Sequence, residues 1–360
     1  MKRSKIIAIK IGSNVLTQSD SNPDLSRMEN LVYQVKTLQD LGKKVILISS
    51  GAVAFGRQIL KPKKKLNAVL KKQLWASIGQ IELIHEYQRL FGKQGLHCAQ
   101  ILVTKEDFRD RKHFLNMKNC LEGLLEEGVI PIINENDTIA ITELMFTDND
   151  ELASLVAAMI NADTLILLSN VDGIYDGDPS NPDSKLILKV NSESRISKDL
   201  ISPTKSSFGR GGMMSKYTMA KKAANLGTQV VIANGTKDNI LPNILEGKAV
   251  FTWFEPKITK QGAKKWLAHG ESYYKATVVI NSGAKKSLHS DVIRSLLPVG
   301  VVKIEGDFVR GDILKICDEE DNALGLGRAE YGSSLAKERI GHQKQKALIH
   351  YNYLYLFEDE

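Results

Sequence analysis

Short apolar runs recur through the first two thirds of the chain and predict buried β-strands. The runs are rich in Val, Ile and Leu and are apolar on both faces, which is typical of parallel strands covered from both sides. The predicted strands are 6–11, 45–49, 96–103, 129–133, 165–168 and 230–233.

Between these runs lie longer segments whose apolar residues recur at i, i+3 and i+4, which predicts amphipathic helices. The predicted helices are 26–41, 72–91, 109–127, 150–161 and 213–226. Glycines that end a helix follow four of them, at Gly42, Gly92, Gly128 and Gly227. Because strands and helices alternate over about 240 residues, we predict an α/β layered domain with a mostly parallel central sheet.

The pattern changes near Pro256, where a polar stretch predicts a linker over 255–272. Beyond it, strand-like pieces are separated by glycines, which predicts a small β-rich domain. The pieces are 276–280, 299–304, 312–317 and 347–357, and the glycines read as turn positions are Gly283, Gly300, Gly306, Gly311, Gly325, Gly327 and Gly332. The predicted boundaries are therefore 1–254 for the first domain, 255–272 for the linker and 273–360 for the second domain.

The composition narrows the class of protein. Of 360 residues, 42% are hydrophobic and 25% charged, which argues against a disordered, a fibrous and a membrane-embedded chain. No apolar run approaches the roughly 20 residues that span a bilayer, and the apolar stretch after the basic N-terminus is broken at Lys10, so it does not resemble a signal peptide. Three widely spaced cysteines favour a reducing cytoplasm, and the histidines show no spacing typical of a transition-metal site.

The net charge of +7 is unevenly distributed. Residues 271–360 contain 12 Lys and Arg against 14 Asp and Glu, a balance of −2. Much of the positive excess lies in one stretch, at Lys61, Lys63, Lys64, Lys65, Lys71 and Lys72. Such a run is typical of a solvated loop beside a helix, and the alternative is a patch that attracts anions.

Polar residues follow most of the predicted strands. In an open parallel sheet, ligands bind beyond the carboxyl ends of the strands, so these residues are candidates for a site. The candidate segments are 10–13, 49–52, 134–138, 147–150 and 169–173, together with the glycine-rich turn 209–212 before the last predicted helix of the first domain.

Two of these segments have the chemistry of an anion site. Lys10 lies inside an apolar strand, where it is either a strand-end lysine that reaches solvent or a point charge that grips phosphate oxygens. The 209–216 stretch is either a flexible surface turn or a place where glycine N–H groups and a helix N-terminus approach a phosphate. It matches neither a P-loop nor the GxGxxG fingerprint.

The amide and carboxylate clusters at 134–137 and 148–150 also have two interpretations. Asn and Asp are ordinary turn and N-cap formers, but alternating amides and carboxylates can also hold an ammonium group, a carboxylate and a hydrated Mg²⁺. Two lysines, glycine backbone donors and carboxylates on one edge of a sheet suit phosphoryl transfer, because positioning and charge neutralisation supply most of its catalysis.

The ordered motifs resemble those of bacterial glutamate 5-kinases, a branch of the amino acid kinase family. The motifs are IKIGSNVLT at 9–17, SSGAVAFGR at 49–57, INENDTI at 133–139, DNDELASLVA at 148–157 and GRGGMMSK at 209–216. GDFVRGDILKI at 306–316 and KERIGHQKQ at 337–345 resemble the PUA domain that ends many of these enzymes. The resemblance implies an αβα sandwich followed by a PUA-like domain.

The resemblance also implies site residues. Lys10 and Lys216 would flank the transferred phosphoryl group, and Asp150 would orient both. The residues that would hold glutamate are Ser50, Gly51, Asn134, Asp137, Asp148 and Asn149. Those that would line the ATP site, besides the two lysines, are Ser169, Asn170, Arg210, Gly211, Gly212, Met213, Met214 and Ser215. Arg210 and Asn170 differ from the family's usual residues, so the nucleotide contacts at these two positions are open.

The implied reaction is ATP-dependent phosphorylation of the side-chain carboxylate of L-glutamate to L-glutamyl 5-phosphate, the first step of proline biosynthesis. Mg²⁺ would be held mainly by the nucleotide phosphates, with no protein ligand assigned. Feedback inhibition by proline, a tetramer or dimer, and functional coupling to glutamyl phosphate reductase are further expectations from the resemblance.

Two alternatives stay open. One is another amino acid kinase, acting on aspartate, N-acetylglutamate, carbamate or a nucleoside monophosphate, against which the 133–139 and 148–157 motifs argue. The other is RNA binding by the C-terminal domain, for which a charge balance of −2 gives little electrostatic support.

Overall fold

The computed structural model describes residues 1, 4–140, 146, 148–191, 212–257, 274–288 and 294–357. The chain divides into two compact units, Met1–Phe108 with Leu115–Ile258, and Thr259–Glu360 with Arg109–Phe114. Most of the predicted linker lies outside the described residues, and the domain boundaries given above stay a prediction.

Strands and helices alternate up to Phe254, as the hydrophobic pattern predicts. In chain order the elements are β1 (Ile6–Ile11), α1 (Ser13–Leu16), α2 (Leu25–Asp40), β2 (Lys44–Ser49), α3 (Ala52–Ile59), α4 (Ala68–Lys93), β3 (Cys98–Val103), α5 (Lys105–Arg109), α6 (Arg111–Glu126), β4 (Ile130–Glu135), α7 (Asn149–Met159), β5 (Thr164–Ser169), β6 (Ile174–Tyr175), β7 (Leu186–Ile187), β8 (Lys189–Val190), α8 (Met213–Asn225), β9 (Gln229–Asn234), α9 (Ile240–Glu246) and β10 (Phe251–Phe254).

Eight of these strands form one sheet in the order β3-β4-β2-β1-β5-β9-β10-β8. The pairs from β3 to β9 are all parallel, and β10 runs antiparallel to β9. All six predicted strands are present in this sheet, so the predicted mostly parallel α/β architecture is confirmed. The pattern missed the short elements, which are at most eight residues long and so show no clear periodicity. They are α1, α3, α5, α9, β6, β7, β8 and β10.

The two faces of β1 carry different side chains because strand residues alternate. Ile7, Ile9 and Ile11 are buried in a core shared with α2, α4 and α9. Lys10 points to the opposite face, where α7 packs on β1, β5 and β2. Burial of each large aliphatic side chain contributes about 1.5–3 kcal/mol, so this double-sided core holds β1 in place and with it the one charged residue of the strand.

Helices α3 and α4 approach each other backbone to backbone. A Cβ on Gly79 would lie 1.8 Å from the carbonyl oxygen of Ala52, and one on Gly56 would lie 1.8 Å from that of Trp75. No side chain therefore fits at either glycine. This contact fixes the start of α3, which follows directly from the end of β2.

The C-terminal unit contains a five-stranded sheet with two short helices. Its elements are β11 (Ala276–Ile280), α10 (Ser282–Leu288), β12 (Val301–Glu305), β13 (Ile313–Cys317), β14 (Ala323–Ala329), α11 (Ser333–Glu338) and β15 (Ile349–Leu356). The strand order is β12-β11-β13-β14-β15, with β11 and β13 parallel and the other pairs antiparallel. The predicted β-rich domain is thus confirmed.

The interpretation of Gly283, Gly325 and Gly327 as turn positions was wrong, because Gly283 lies inside α10 and the other two lie inside β14. A Cβ on Gly325 would lie 2.3 Å from the carbonyl oxygen of Tyr355, and one on Gly327 would lie 2.4 Å from the side chain of Ile349. These glycines allow β15 to pack closely against β14, a use of glycine within strands that resembles a turn signal in the sequence.

None of the helices in the described ranges combines the length and the apolar character that crossing a bilayer requires.

Candidate active site

Lys10 lies one residue before the end of the central strand β1 and is 5% exposed. Gly12 follows at the point where the chain leaves the sheet. A Cβ on Gly12 would lie 3.3 Å from the carbonyl oxygen of Leu168 and 3.5 Å from the Lys10 Nζ. The glycine therefore keeps the space beside the Lys10 amine open.

Asp150 connects Lys10 to Lys216. The Lys10 Nζ is 2.7 Å from Oδ1 of Asp150, and the Lys216 Nζ is 2.6 Å from Oδ2. Asp150 lies in the first turn of α7 with its side chain 1% exposed. Lys216 lies in the first turn of α8, which begins after Gly212 as N-cap. One buried carboxylate thus orients two ammonium groups from distant elements.

The pKa values of the three groups reflect this arrangement. Burial raises the pKa of the Asp150 carboxyl, but the charges of Lys10 and Lys216 outweigh burial and lower the pKa to about 2. Burial lowers the pKa of the Lys10 amine; Asp150 opposes that shift and the charge of Lys216 adds to it. The pKa of Lys216 is raised, because Asp150 and Asp148 outweigh the effect of burial. With both amines protonated, the cluster carries one net positive charge and suits an anionic group.

Asp148 links the starts of α7 and α8. Its Oδ1 accepts hydrogen bonds from the backbone N–H groups of Asp150 and Glu151, at 2.9 and 3.0 Å, and so caps α7. Its Oδ2 accepts a hydrogen bond from the Ser215 hydroxyl. Burial and the negative charge of Asp150 raise the pKa of Asp148, against the effect of the Ser215 hydrogen bond. The cap that sequence analysis offered as one interpretation is therefore present, and it also fixes Ser215.

A second set of polar side chains lies next to this cluster along the chain. The Asn149 Nδ2 donates to Ser50 Oγ at 2.9 Å and to Asn134 Oδ1 at 3.1 Å. The Asn134 Nδ2 donates to Gln80 Oε1 at 2.9 Å, and Asn134 Oδ1 also accepts the N–H of Glu135 at 3.0 Å. Because both ends of the Asn134 amide have partners, its orientation is determined.

Gly51 separates Ser50 from helix α3. Its φ of 116° lies in the region that favours glycine, and it is the N-cap residue of α3. The preceding residue, Ser49, is buried and hydrogen-bonds through Oγ to the Tyr87 hydroxyl of α4 at 2.8 Å. The segment that contains Ser50 is thus fixed by the Ser49–Tyr87 hydrogen bond before it and by the start of α3 after it.

Asp137 forms an ion pair with Lys72, which lies inside α4. The neighbouring Thr138 is held by the same helix: the Gln73 Nε2 donates to its carbonyl oxygen at 2.8 Å, and the Ser77 Oγ lies 3.2 Å from its Oγ1. Lys72 is therefore part of a helix face that contacts a candidate site segment, and both Lys71 and Lys72 belong to α4 rather than to the loop before it.

Ser169 and Asn170 stand at the end of β5. Ser169 is 7% exposed, pairs with Asn234 of β9, and accepts the N–H of Gly235 at 2.8 Å through its carbonyl oxygen, whereas Asn170 is exposed. The Asn234 Nδ2 donates to Asp172 Oδ1 at 3.0 Å. The ends of β5 and β9 thus form one polar edge.

The structure brings most of the candidate residues into two adjoining groups. Lys10, Asp148, Asp150, Ser215 and Lys216 form the first. Ser50, Asn134 and Asn149 form the second, which is continuous with the first through the 148–150 segment. Gly212, Met213 and Met214 are partly buried at the start of α8, while Arg210 and Gly211 lie outside the described residues.

Sequence reasoning missed Gln80 and did not connect Lys72 with Asp137. Lys72 and Gln80 lie on the same side of α4, eight residues apart, with Ala76 between them. The available signal was the recurrence of polar residues on one side of the helix, at Lys72, Gln73, Ser77 and Gln80.

Within the described ranges, no three His, Cys, Asp or Glu side chains form an arrangement that could hold a metal ion. Both carboxylate oxygens of Asp150 contact lysines, and those of Asp148 accept hydrogen bonds from the protein. A cation here would find its ligands mainly on a bound phosphate.

The chain is similar to known families in both of its parts. Residues 5–234 match the model of the amino acid kinase family, and residues 276–351 match the model of the PUA domain. Among solved structures, the carbamate kinase of Giardia lamblia bound to AMP-PNP covers 71% of this chain and 100% of its own, at 16% identity and a TM-score of 0.52. A UMP kinase of Bacillus anthracis covers 71% of this chain and 97% of its own, at 15% identity and a TM-score of 0.51. These two share the fold.

Curated relatives match along nearly the whole sequence. The glutamate 5-kinase of Bacteroides thetaiotaomicron is 48% identical over 353 residues, which cover 97% of this chain and 98% of the relative. The glutamate 5-kinase of Chlorobaculum tepidum is 44% identical over 351 residues, 97% of each chain. The chain therefore belongs to the glutamate 5-kinase branch of the amino acid kinase family and carries a PUA domain at its C-terminal end.

Proposed function

We propose that the protein transfers the γ-phosphoryl group of ATP to the side-chain carboxylate of L-glutamate and releases L-glutamyl 5-phosphate and ADP. The observation that carries this proposal is the Lys10–Asp150–Lys216 cluster beside the amide and hydroxyl groups of Ser50, Asn134 and Asn149. The first group suits phosphate oxygens, and the second suits a small polar acceptor. The 48% identity to a glutamate 5-kinase identifies that acceptor class.

In this reaction a γ-carboxylate oxygen of glutamate forms a bond to the γ-phosphorus, and the bond from that phosphorus to the β–γ bridging oxygen breaks. Negative charge on the equatorial and leaving oxygens must be neutralised during transfer. Lys10 and Lys216 supply two donors for these oxygens, and Asp150 holds both in position. A unit-charge pair at about 4 Å contributes roughly 4 kcal/mol at an effective dielectric constant of about 20.

Asp148 and Asn149 place the acceptor. Asp148 acts by fixing the first turn of α7 and Ser215, and Asn149 presents its amide to Ser50 and Asn134. We assign Ser50, Gly51, Asn134, Asp137, Asp148 and Asn149 to glutamate binding. Proximity of two bound reactants is itself worth several kcal/mol of the barrier.

The nucleotide is assigned to the ends of β5 and β9 and to the start of α8. Helix α8 has 13 residues and begins at Gly212 without a side-chain cap, so its first N–H groups are suited to phosphate oxygens. Ser169, Asn170, Gly212, Met213, Met214, Ser215 and Lys216 belong to this assignment, as do Arg210 and Gly211. Mg²⁺, bound mainly through the nucleotide phosphates, would neutralise part of their charge.

The wider role follows from the same assignment. The product is the acyl phosphate that begins proline biosynthesis, and we assign proline as a feedback inhibitor, a homo-oligomeric state, a cytoplasmic location and a functional coupling to glutamyl phosphate reductase. These assignments are supported by relatedness to the glutamate 5-kinases.

A hydroxylamine trap tests the reaction. Purified protein is incubated with ATP, Mg²⁺ and hydroxylamine, with L-glutamate, L-aspartate, N-acetyl-L-glutamate, carbamate or UMP as acceptor, and both ADP and hydroxamate are measured. The expected result is hydroxamate and ADP in equal amounts with L-glutamate alone. The proposal is wrong if glutamate gives no product or if another acceptor has a higher kcat/KM.

A further inference from the structure

The helix face that carries Lys72 faces the loop assigned to the acceptor amino acid. Lys72, Gln73, Ser77 and Gln80 of α4 contact Asp137, Thr138 and Asn134 by an ion pair and hydrogen bonds. Of these four α4 side chains, only Lys72 is charged.

Two of the other three contacts hold the loop, and the third holds the end of β4. Gln73 binds the backbone of Thr138, Ser77 lies against its hydroxyl, and Gln80 fixes the Asn134 amide. A neutral side chain at position 72 would leave those three contacts in place. Those three contacts therefore do not depend on the charge of Lys72.

The Lys72–Asp137 pair matches the charges of the free end of an α-amino acid. Such an end carries an ammonium group and a carboxylate on one carbon, and Asp137 supplies a negative charge for the ammonium group alone. Lys72, which is paired with Asp137, supplies a positive charge that suits the α-carboxylate. The two side chains are 31% and 12% exposed, so both are accessible to a small ligand and partly shielded from water, where charge-assisted contacts are strong.

The positions of Lys10 and Lys216 support a site in which different lysines serve the two ends of the substrate. Lys10 and Lys216 both contact Asp150, at the end assigned to the phosphoryl group. L-Glutamate has two carboxylates: the acceptor at one end of the molecule and the α-carboxylate at the other. A lysine at each end of the bound molecule would allow the site to bind each carboxylate separately.

We propose that Lys72 is a specificity-determining residue that binds the α-carboxylate of the acceptor amino acid while its partner Asp137 binds the α-ammonium group. This inference rests on the proposed function and adds to it the recognition of the non-reacting end of the substrate.

The test compares two acceptors that differ only at the α-carboxylate. L-Glutamate and its α-amide, L-isoglutamine, share the γ-carboxylate and the ammonium group, but the amide carries no α-carboxylate charge. We would measure kcat and KM for both with the wild type, Lys72→Met and the matched control Lys71→Met. Lys71 is the preceding residue of α4, and its amine lies 4.6 Å from the ring centre of Trp75, away from the loop contacts.

The expected result is a 10- to 100-fold loss of kcat/KM for glutamate in Lys72→Met, mainly through KM, with less than a threefold change for isoglutamine. Lys71→Met should behave as the wild type with both acceptors. Lys72→Arg should regain at least part of the preference for glutamate, because it keeps the charge. Thermal unfolding of each variant checks that it is folded.

Other outcomes separate the inference from the proposed function. Equal losses for both acceptors in a folded Lys72→Met would show that Lys72 only positions Asp137, and an unchanged glutamate KM would also overturn the inference. A wild type that phosphorylates neither acceptor would instead overturn the proposed function.

Discussion

Lys10 and Lys216 contact the two oxygens of one buried carboxylate, although they lie in the first strand and the last long helix of the kinase domain. Neither β1 nor α8 by itself determines where the lysine of the other element lies. The shared carboxylate of Asp150 therefore makes the position of each amine depend on the docking of α7 and α8 on the sheet.

Removal of either amine should abolish most turnover and leave the protein folded. Lys10→Ala and Lys216→Ala should each lower kcat roughly 100- to 1,000-fold, because one donor to the transferred phosphoryl group is lost, a loss of about 2.7–4 kcal/mol. Asp150 would remain paired with the second lysine, so the fold should persist. Kinetics of ADP release and circular dichroism measure the two effects.

The matched control is Lys36→Ala, which removes a lysine from an exposed pair with Asp40 in α2. Its kcat should equal that of the wild type. Near wild-type rates in both site variants would contradict the assigned roles.

Acid should destabilise the protein partly through Asp150. Its pKa in the folded protein is about 2, below the ordinary value of 3.8, because the two lysines outweigh burial. The carboxylate therefore stabilises the folded state above pH 4, and this contribution is lost as the pH falls from about 4 to 2. The amount lost is about 2 kcal/mol.

Urea unfolding at pH 6, 4 and 3 measures the loss of free energy of unfolding on acidification. The part due to Asp150 should be missing in Asp150→Asn. Asp40→Asn, which affects the exposed pair with Lys36, should keep the wild-type pH dependence. If the free energy of unfolding of Asp150→Asn showed the same acid loss as that of the wild type, the pKa assigned to Asp150 would be wrong.

The close contact of α3 and α4 should tolerate no side chain. Gly79→Ala would place a Cβ within 1.8 Å of the Ala52 carbonyl oxygen and should lower the free energy of unfolding by about 1–3 kcal/mol. Because Ala52 follows Ser50 and Gly51, the glutamate KM should also rise. Chemical denaturation and steady-state kinetics test this.

Gly92→Ala is the control in the same helix. Sequence analysis predicted that Gly92 follows this helix, which was wrong, because α4 continues to Lys93. A Cβ there meets nothing within 4 Å, and replacement of a helical glycine should stabilise the protein by about 0.5–1 kcal/mol. Equal stability of the two variants would show that α3 and α4 are further apart than described.

Gln80 should act through Asn134 rather than on the reaction. Gln80→Met leaves the Asn134 Nδ2 without its acceptor, so the amide is held only through its Oδ1. We expect a roughly 5- to 20-fold higher KM for glutamate, equivalent to about 1–2 kcal/mol, with kcat within about threefold.

Gln73→Met offers the comparison, since Gln73 holds the same loop through the Thr138 carbonyl and not through Asn134. Its effect on the glutamate KM should be smaller. A large fall in kcat with an unchanged KM in Gln80→Met would place Gln80 in the catalytic step instead.

Hydrophobic periodicity was sufficient to locate the long elements. All five long helices and all six strands predicted for the first domain are present, with ends that mostly differ by a few residues. Burial imposes a period of 3.6 or 2 on any element long enough to show it. Short elements such as α3, and glycines inside β14, carry too little of that pattern, so the interpretation there failed.

The candidate site, too, was predicted from the sequence only in part. The local pattern identified Lys10 as a charge inside an apolar strand, and Asp148, Asp150 and Lys216 as charged residues near helix starts. It could not show that Asp150 contacts both lysines, or that Lys72 of α4 faces Asp137. Such contacts depend on strand order and helix docking, which arise from burial summed over the whole domain. A pairing between residues far apart in the sequence leaves no periodic trace near either one.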